Sequence, residues 1–235
     1  MSAVASILEV PEPEVSPAAD FTRTGRLAAA ATLVLGAACQ VAVFAIEPQH
    51  SHTVDRLRWI ADHPDRANVA KLFDVLAMPF LLGGVLVYVL LSRRRSPRLA
   101  YAGGILLGCG MVGLSMVQGL ETLGFSLAQD GRFDLGALAD RVDNTTSAPA
   151  IAMLLLFIPG AFLGVLTVSA ALWRSRAVPR GAVVLLPVFI VVDVILQQGL
   201  PAHVIALVGA AWIALAVLRT RPAAPEPHRA ALGSS

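Results

Sequence analysis

The chain has 235 residues, of which 56% are hydrophobic and 14% charged, with a mean hydropathy of +0.71 and a formal net charge of +2. A soluble domain carries about 25% charged residues interleaved with apolar ones, whereas here the apolar residues come in long blocks. This composition excludes an ordinary water-soluble domain, and so small a net charge in short loops gives no footing for nucleic-acid binding.

The N-terminus, MSAVASILEVPEPEVSPAAD, is acidic and Pro-rich, with no basic stretch ahead of an apolar run. It belongs to a disordered cytoplasmic tail expected over residues 1–25, not to a cleavable signal peptide. Six segments then each approach the roughly 20 apolar residues that cover a bilayer's hydrocarbon core. They are Leu27–Ile46, Lys71–Leu91, Leu99–Thr122, Ala150–Trp173, Gly181–Leu200 and Ala202–Leu218. Only Gly199-Leu200-Pro201, read as a tight turn, divides the last two. Residues 220–235 form a second disordered cytoplasmic tail. The expected fold is an all-α polytopic transmembrane helix bundle over residues 26–219, with six spans.

Two longer connections are expected to hold short interfacial helices. After the first span, TVDRLRWIADHP carries an uneven apolar stripe of Val54, Leu57, Trp59 and Ile60, with Thr53 placed as a cap and Pro64 as a stop. After the third, Asp134–Val142 reads as another short helix; its acids lack the spacing of a calcium loop and serve to solvate a helix face.

Charge orients the spans. With the N-terminus inside, twelve of the eighteen basic residues are cytoplasmic: Arg23, Arg26, Arg93, Arg94, Arg95, Arg98, Arg174, Arg176, Arg180, Arg219, Arg221 and Arg229. The other six, Arg56, Arg58, Arg66, Lys71, Arg132 and Arg141, share the outer side with eight loop acids. The positive-inside rule weights short loops such as RRRSPR and RSRAVPR most heavily, so both termini are expected in the cytoplasm and the chain in the inner (plasma) membrane. The two loops look alike, as convergence on basic, Pro-containing turns would make them.

Some motifs carry little. Gly108-Cys109-Gly110-Met111-Val112-Gly113 spells a dinucleotide fingerprint, which requires a strand before it; within a membrane helix these glycines, with Gly104 and the Gly160–Gly164 pair, favour close helix packing. Pro79, Pro159 and Pro187 imply kinks within spans. Cys39 and Cys109 read as packing groups. The single lysine, Lys71, is no late-helix Schiff-base residue, and there is no phosphate-binding loop. His50-Ser51-His52 lacks a fixed third ligand, so no metal and no cofactor is expected.

Polar residues inside the spans are more informative. Asp193 lies thirteen residues past Arg180, roughly 20 Å from the inner surface at 1.5 Å per residue. Gln197 follows it by one helical turn, and Gln40 reaches nearly the same depth in the first span. Gln118 and Glu121 share a face of the third span, Asp74 and Lys71 open the second, and His203 opens the sixth. Every span but the fourth thus carries polar groups in its outer half. The candidate cluster is Gln40, Asp74, Gln118, Glu121, Asp193, Gln197 and His203. Ionisable groups in a membrane mark pathways and sites, although such groups also join helices structurally.

Three stretches, WIADHPDRANVAKLFDVLAMPF, RRRSPRLAYAGGIL and ALWRSRAVPRGAVVLL, resemble a loose group of small six-helix bacterial integral membrane proteins known only as domains of unknown function. The resemblance implies topology and no mechanism. Because no complete site is spelled out, the residues favour a non-catalytic membrane subunit or accessory protein, its glycine faces meeting a membrane-protein partner or a second copy of the chain. A proton-coupled carrier with an outer-half polar cavity is the first alternative. A membrane-embedded enzyme using paired carboxylates on a lipid or isoprenoid is the second.

Overall fold

The computed structural model describes residues 21–195, 197 and 199–219. The two expected tails lie outside them, apart from residues 21–25, where the first helix begins. These described residues fold into helices: α1 (Arg23–Ile46), α2 (Thr53–Asp62), α3 (Pro64–Ser92), α4 (Pro97–Gln129), α5 (Leu135–Asp143), α6 (Ala148–Ser175), α7 (Arg180–Ile190), which continues as π-helix over Val191–Ile195, and α8 (Gly199–Arg219). Five of them, α1, α3, α4, α6 and α8, are long and apolar enough to cross a membrane. They fit a multi-pass membrane protein.

The fifth expected span departs from a plain helix. Pro187 sits inside α7 and supplies no N–H to the turn before it, and four residues later the backbone widens into the π segment. The chain then turns at Gln197, whose φ of 51° is left-handed. Gly199-Leu200-Pro201 is consequently not the turn. It forms the first turn of α8, where proline's missing N–H costs nothing. Pro79 and Pro159, by contrast, leave α3 and α6 unbroken.

Neighbouring helices touch in a closed sequence, α1 to α3, α4, α6, α7, α8 and back to α1, with α3 and α6 also meeting across the middle. Each neighbouring pair with a mapped contact runs antiparallel. Gly36 faces Phe80 and Leu81 while Gly83 faces Thr32, and Gly181 faces Trp212 while Gly209 faces Leu185. The α4–α6 seam is closest. A Cβ added at Gly113 would lie 2.6 Å from the Phe157 backbone N, one at Gly164 2.5 Å from that of Leu107, and one at Gly110 closer still to Ala161. Gly160 stands against Gly110 in the same seam, and Gly104 faces Val89 of α3. Gly108, expected to pack with them, meets only open space.

One half of this ring is filled and the other is not. The main core runs through Leu33, Leu91, Leu107, Val168, Leu172, Val183, Leu186, Ile213 and Val217, the halves of the helices nearest the arginine-rich turns. At the opposite end a small cluster (Leu57, Ile60, Ala67, Phe125, Ala128 and Ala139) joins α2 and α5 to the ends of α3 and α4. That is why α3 starts at Pro64 and α4 runs to Gln129, about two turns beyond the expected spans: their last apolar residues are covered by α2 and α5. Asp134 caps α5, accepting from the Gly136 N–H at 2.8 Å. Thr53 caps nothing; its hydroxyl donates to Asp143 at 2.5 Å and ties α2 to α5.

Candidate functional site

The unfilled half holds a cavity of about 580 Å³ to which all six ring helices contribute. On α4 the lining residues Leu107, Met111, Leu114, Gln118 and Glu121 recur at spacings of four and three, so they form one face. That face spans about 21 Å at 1.5 Å per residue and changes from apolar to polar along its length. Phe157, Ala161, Phe162 and Val165 of α6 continue the apolar wall, and Leu81 of α3 joins them. Gln40 and Phe44 of α1, Asp74 of α3, Asp193 of the π segment and His203 of α8 bring the polar end together. The connection after α1 closes over it with Glu47, Gln49 and His50, while Gln49 donates from Nε2 to the Gln197 carbonyl at 2.7 Å.

Six of the seven expected residues, Gln40, Asp74, Gln118, Glu121, Asp193 and His203, therefore share one cavity. Gln197 does not line it. The expectation put Gln197 one helical turn above Asp193, but the helix has ended by then, and Gln197 stands exposed in the left-handed turn.

The charges form a chain of contacts. Arg56 of α2 donates from Nε to Glu47 at 2.5 Å, and its NH1 lies 3.4 Å from Glu121. Burial disfavours the Arg56 charge, but the Glu121 and Glu47 carboxylates outweigh it and hold the guanidinium above its ordinary pKa. Lys71 continues the chain, with Nζ 3.6 Å from Glu121 and 3.0 Å from Asp74. The other Asp74 oxygen accepts from Gln118 Nε2 at 2.5 Å and Gln40 Nε2 at 3.5 Å. Asp193 stands apart from this chain. Among the described residues its nearest ionisable neighbour is the His203 ring, 3.8 Å away. That ring stacks on Phe44 at 4.1 Å between centroids, meets Phe189 edge-on at 5.3 Å, and uses Nδ1 on the Gly199 carbonyl at 2.8 Å.

Two polar atoms of the lining residues are buried with no hydrogen-bond partner among the described residues: Gln118 Oε1 and His50 Nε2. The Gln118 amide cannot be reversed to cure this, because its NH₂ must face the Asp74 carboxylate and only the oxygen is left over.

This chain matches no family model, no curated protein and no solved structure. What the site does follows from its own chemistry. Among the described residues no three His, Cys, Asp or Glu side chains gather as a metal site. The Lys71 ammonium contacts both Asp74 and Glu121, and Asp193, the carboxylate expected to pair with one of them, makes no contact with either among the described residues. The cavity is instead a graded container, charged at one end and apolar at the other.

Sequence reading missed three contributors. Glu47 and Arg56 were assigned to a loop and to a surface helix, and Phe44 was one apolar residue among many. The available signal was charge of both signs in a connection following a polar-ended span, which lets that connection fold back over it.

Proposed function

We propose that this chain is a small six-span membrane carrier, both termini cytoplasmic, whose cavity at the outer end is the loading site for an amphiphilic solute. The observation that carries this reading is the gathering of six polar side chains, drawn from five different helices, at one end of a single cavity whose other end is apolar. The fifth span, Arg180–Ile195, brings the number to six, since it advances about 24 Å, close to the depth of a hydrocarbon core. The arginine-rich turns at the filled end support the orientation, and α2 and α5 then lie on the outer membrane surface. The accessory-subunit reading loses its contact surface, because Gly103, Gly110, Gly113, Gly160 and Gly164 are used between α4 and α6 of the same chain. The paired-carboxylate enzyme draws less support, because Asp193 stands outside the contacts that hold Glu121 and Asp74.

The test uses a matched decyl series in phosphatidylcholine nanodiscs: decylamine, decyltrimethylammonium, decanol and decanoate, with empty discs as reference. A ligand that binds the folded protein raises its unfolding temperature by mass action. At least one member is expected to do so, and Val117→Trp, which puts a large ring on the cavity wall, is expected to remove the effect from a folded protein. If no member stabilises the wild type, or the filled variant responds equally, this reading fails.

A further inference from the structure

We infer that the solute's head group is a protonated amine. The inference rests on the reading of the cavity as a solute site and adds the chemical class of its occupant.

The first observation is the charge count. Four carboxylates, Glu47, Asp74, Glu121 and Asp193, stand at the polar end against two permanent cations, Arg56 and Lys71. Both cations are already shared: Arg56 holds Glu47 and Glu121, and Lys71 holds Asp74 and Glu121. Asp193 receives neither. Among the described residues no hydrogen bond reaches its carboxylate, and the adjacent His203 commits Nδ1 to Gly199. An ionised carboxylate in a sheltered cavity is costly without an opposite charge, so Asp193 is stable there as an anion only beside a cation from outside the chain. An anionic head group would add to the excess.

The second observation concerns hydrogen bonding. Gln118, a lining residue, is 9% exposed, and its Oε1 is buried and accepts from nothing among the described residues. The missing partner is a donor. A primary ammonium supplies both things this end lacks, positive charge and N–H groups. A quaternary ammonium supplies only charge, and an alcohol only a neutral donor.

The third observation is the remainder of the container. Leu107, Met111, Phe157, Phe162 and Val165 provide no polar partner, so the body attached to the amine is apolar. Ile158 and Val194 line the cavity while half exposed, at 52% and 50%, so its wall at α6 and the π segment is thinly covered. An amphiphile dissolved in the bilayer meets that wall directly.

The experiment compares dissociation constants within the decyl series, in nanodiscs of neutral lipid corrected by empty discs. Decylamine is expected to bind at least tenfold tighter than decanol and at least tenfold tighter than decyltrimethylammonium, and decanoate weakest of all. Asp193→Asn is expected to bring decylamine to within threefold of decanol while decanol binding itself is retained. Decanol or decanoate binding as tightly as decylamine overturns the inference and leaves the solute-site reading standing. Equal binding of the quaternary and primary ammonium also overturns it, since Gln118 Oε1 would then have no role. Binding of no member defeats the underlying reading. Should Asp193→Asn not fold, the wild-type series alone decides.

Discussion

Lys71 offers the sharpest test of the charge chain, because one ammonium holds two carboxylates. Its Nζ lies 3.0 Å from Asp74 and 3.6 Å from Glu121, with the Lys71 and Asp74 side chains 11% and 12% exposed. At an effective dielectric constant of about 20, unit charges 3.0 Å apart attract by about 5 kcal/mol, most of which offsets the cost of removing both from water. Removing one partner leaves that desolvation cost uncompensated, and for buried pairs the loss is about 3–5 kcal/mol. Lys71→Met keeps the aliphatic stem and deletes the charge. Asp74 retains its two amide donors, Gln118 and Gln40, which places the expected loss near the lower figure, about 3 kcal/mol. Asp74→Asn leaves Lys71 with Glu121 and is expected to cost about 1–2 kcal/mol. In the double variant an amide faces an apolar stem and neither charge is stranded, so it should be no less stable than Lys71→Met alone. The coupling energy is then at least about 1 kcal/mol. Reversible unfolding in mixed micelles, followed by circular dichroism, measures all four corners of the cycle. A Lys71→Met loss below about 1 kcal/mol, or single losses that simply add, would refute the ion-pair reasoning.

Two further predictions concern the backbone. Gly110→Ala should destabilise by about 1–3 kcal/mol, since its Cβ would press into the Ala161 backbone, whereas Gly108→Ala, with open space around it, should be neutral or slightly stabilising; equal melting temperatures for the two would contradict the α4–α6 seam. Gln197→Gly should raise stability by up to about 1 kcal/mol, because its left-handed φ of 51° costs an L-residue energy that glycine escapes, and a lower melting temperature would show the turn held by its side chain instead.

The sequence revealed most of the helices because lipid-length apolar blocks have few other uses, and five of those blocks are helices of crossing length. Its errors fall where tertiary contact overrides local pattern. The ends of α3 and α4 look like loop because Ala67, Phe125 and Ala128 are too few to register as a span; they become helix because α2 and α5 cover them. Thr53 has the chemistry of a cap, but the nearby Asp143 takes its hydroxyl. Gly108 and Gly110 are indistinguishable as letters, and only the rotation of α4 against α6 separates them. Within the site, the placement of Gln40, Asp74, Gln118, Glu121, Asp193 and His203 in the same halves of their spans was readable from position, with Asp193 and Gln40 counted from the nearest arginines. Which of them contact one another was not, since that depends on the order of helices around the ring. Gln197 failed the depth argument because its premise, an unbroken helix from Arg180, ends at the π segment.

The way the two halves of the ring are stabilised bears directly on why a hollow end can persist. Apolar side chains gain little by leaving lipid for one another, so helices in a membrane are held by close packing and polar contacts rather than by the hydrophobic effect. Here close packing is concentrated in the filled half and along the α4–α6 glycine seam. The hollow half is held by other means: the Glu47–Arg56–Glu121–Lys71–Asp74 contacts join α2, α3, α4 and the end of α1, and the α2–α5 cluster clamps the helix ends above them. The clamp therefore fixes α1, α3 and α4 on one side of the cavity. Among the described residues, no contact in that charge chain reaches the π segment, whose Asp193 carboxylate approaches His203 of α8, and Val191–Ile195 contributes no buried residue. A π segment following a proline, half exposed and carrying the unshared carboxylate, is the least constrained wall of the container. A bound cation that pairs with Asp193 would fasten that wall to the clamped side, so occupancy should tighten the π segment more than any other part of the ring. Hydrogen exchange of the Val191–Ile195 amides, with and without decylamine, measures this, and unchanged exchange there on binding would mean that the head group lies elsewhere.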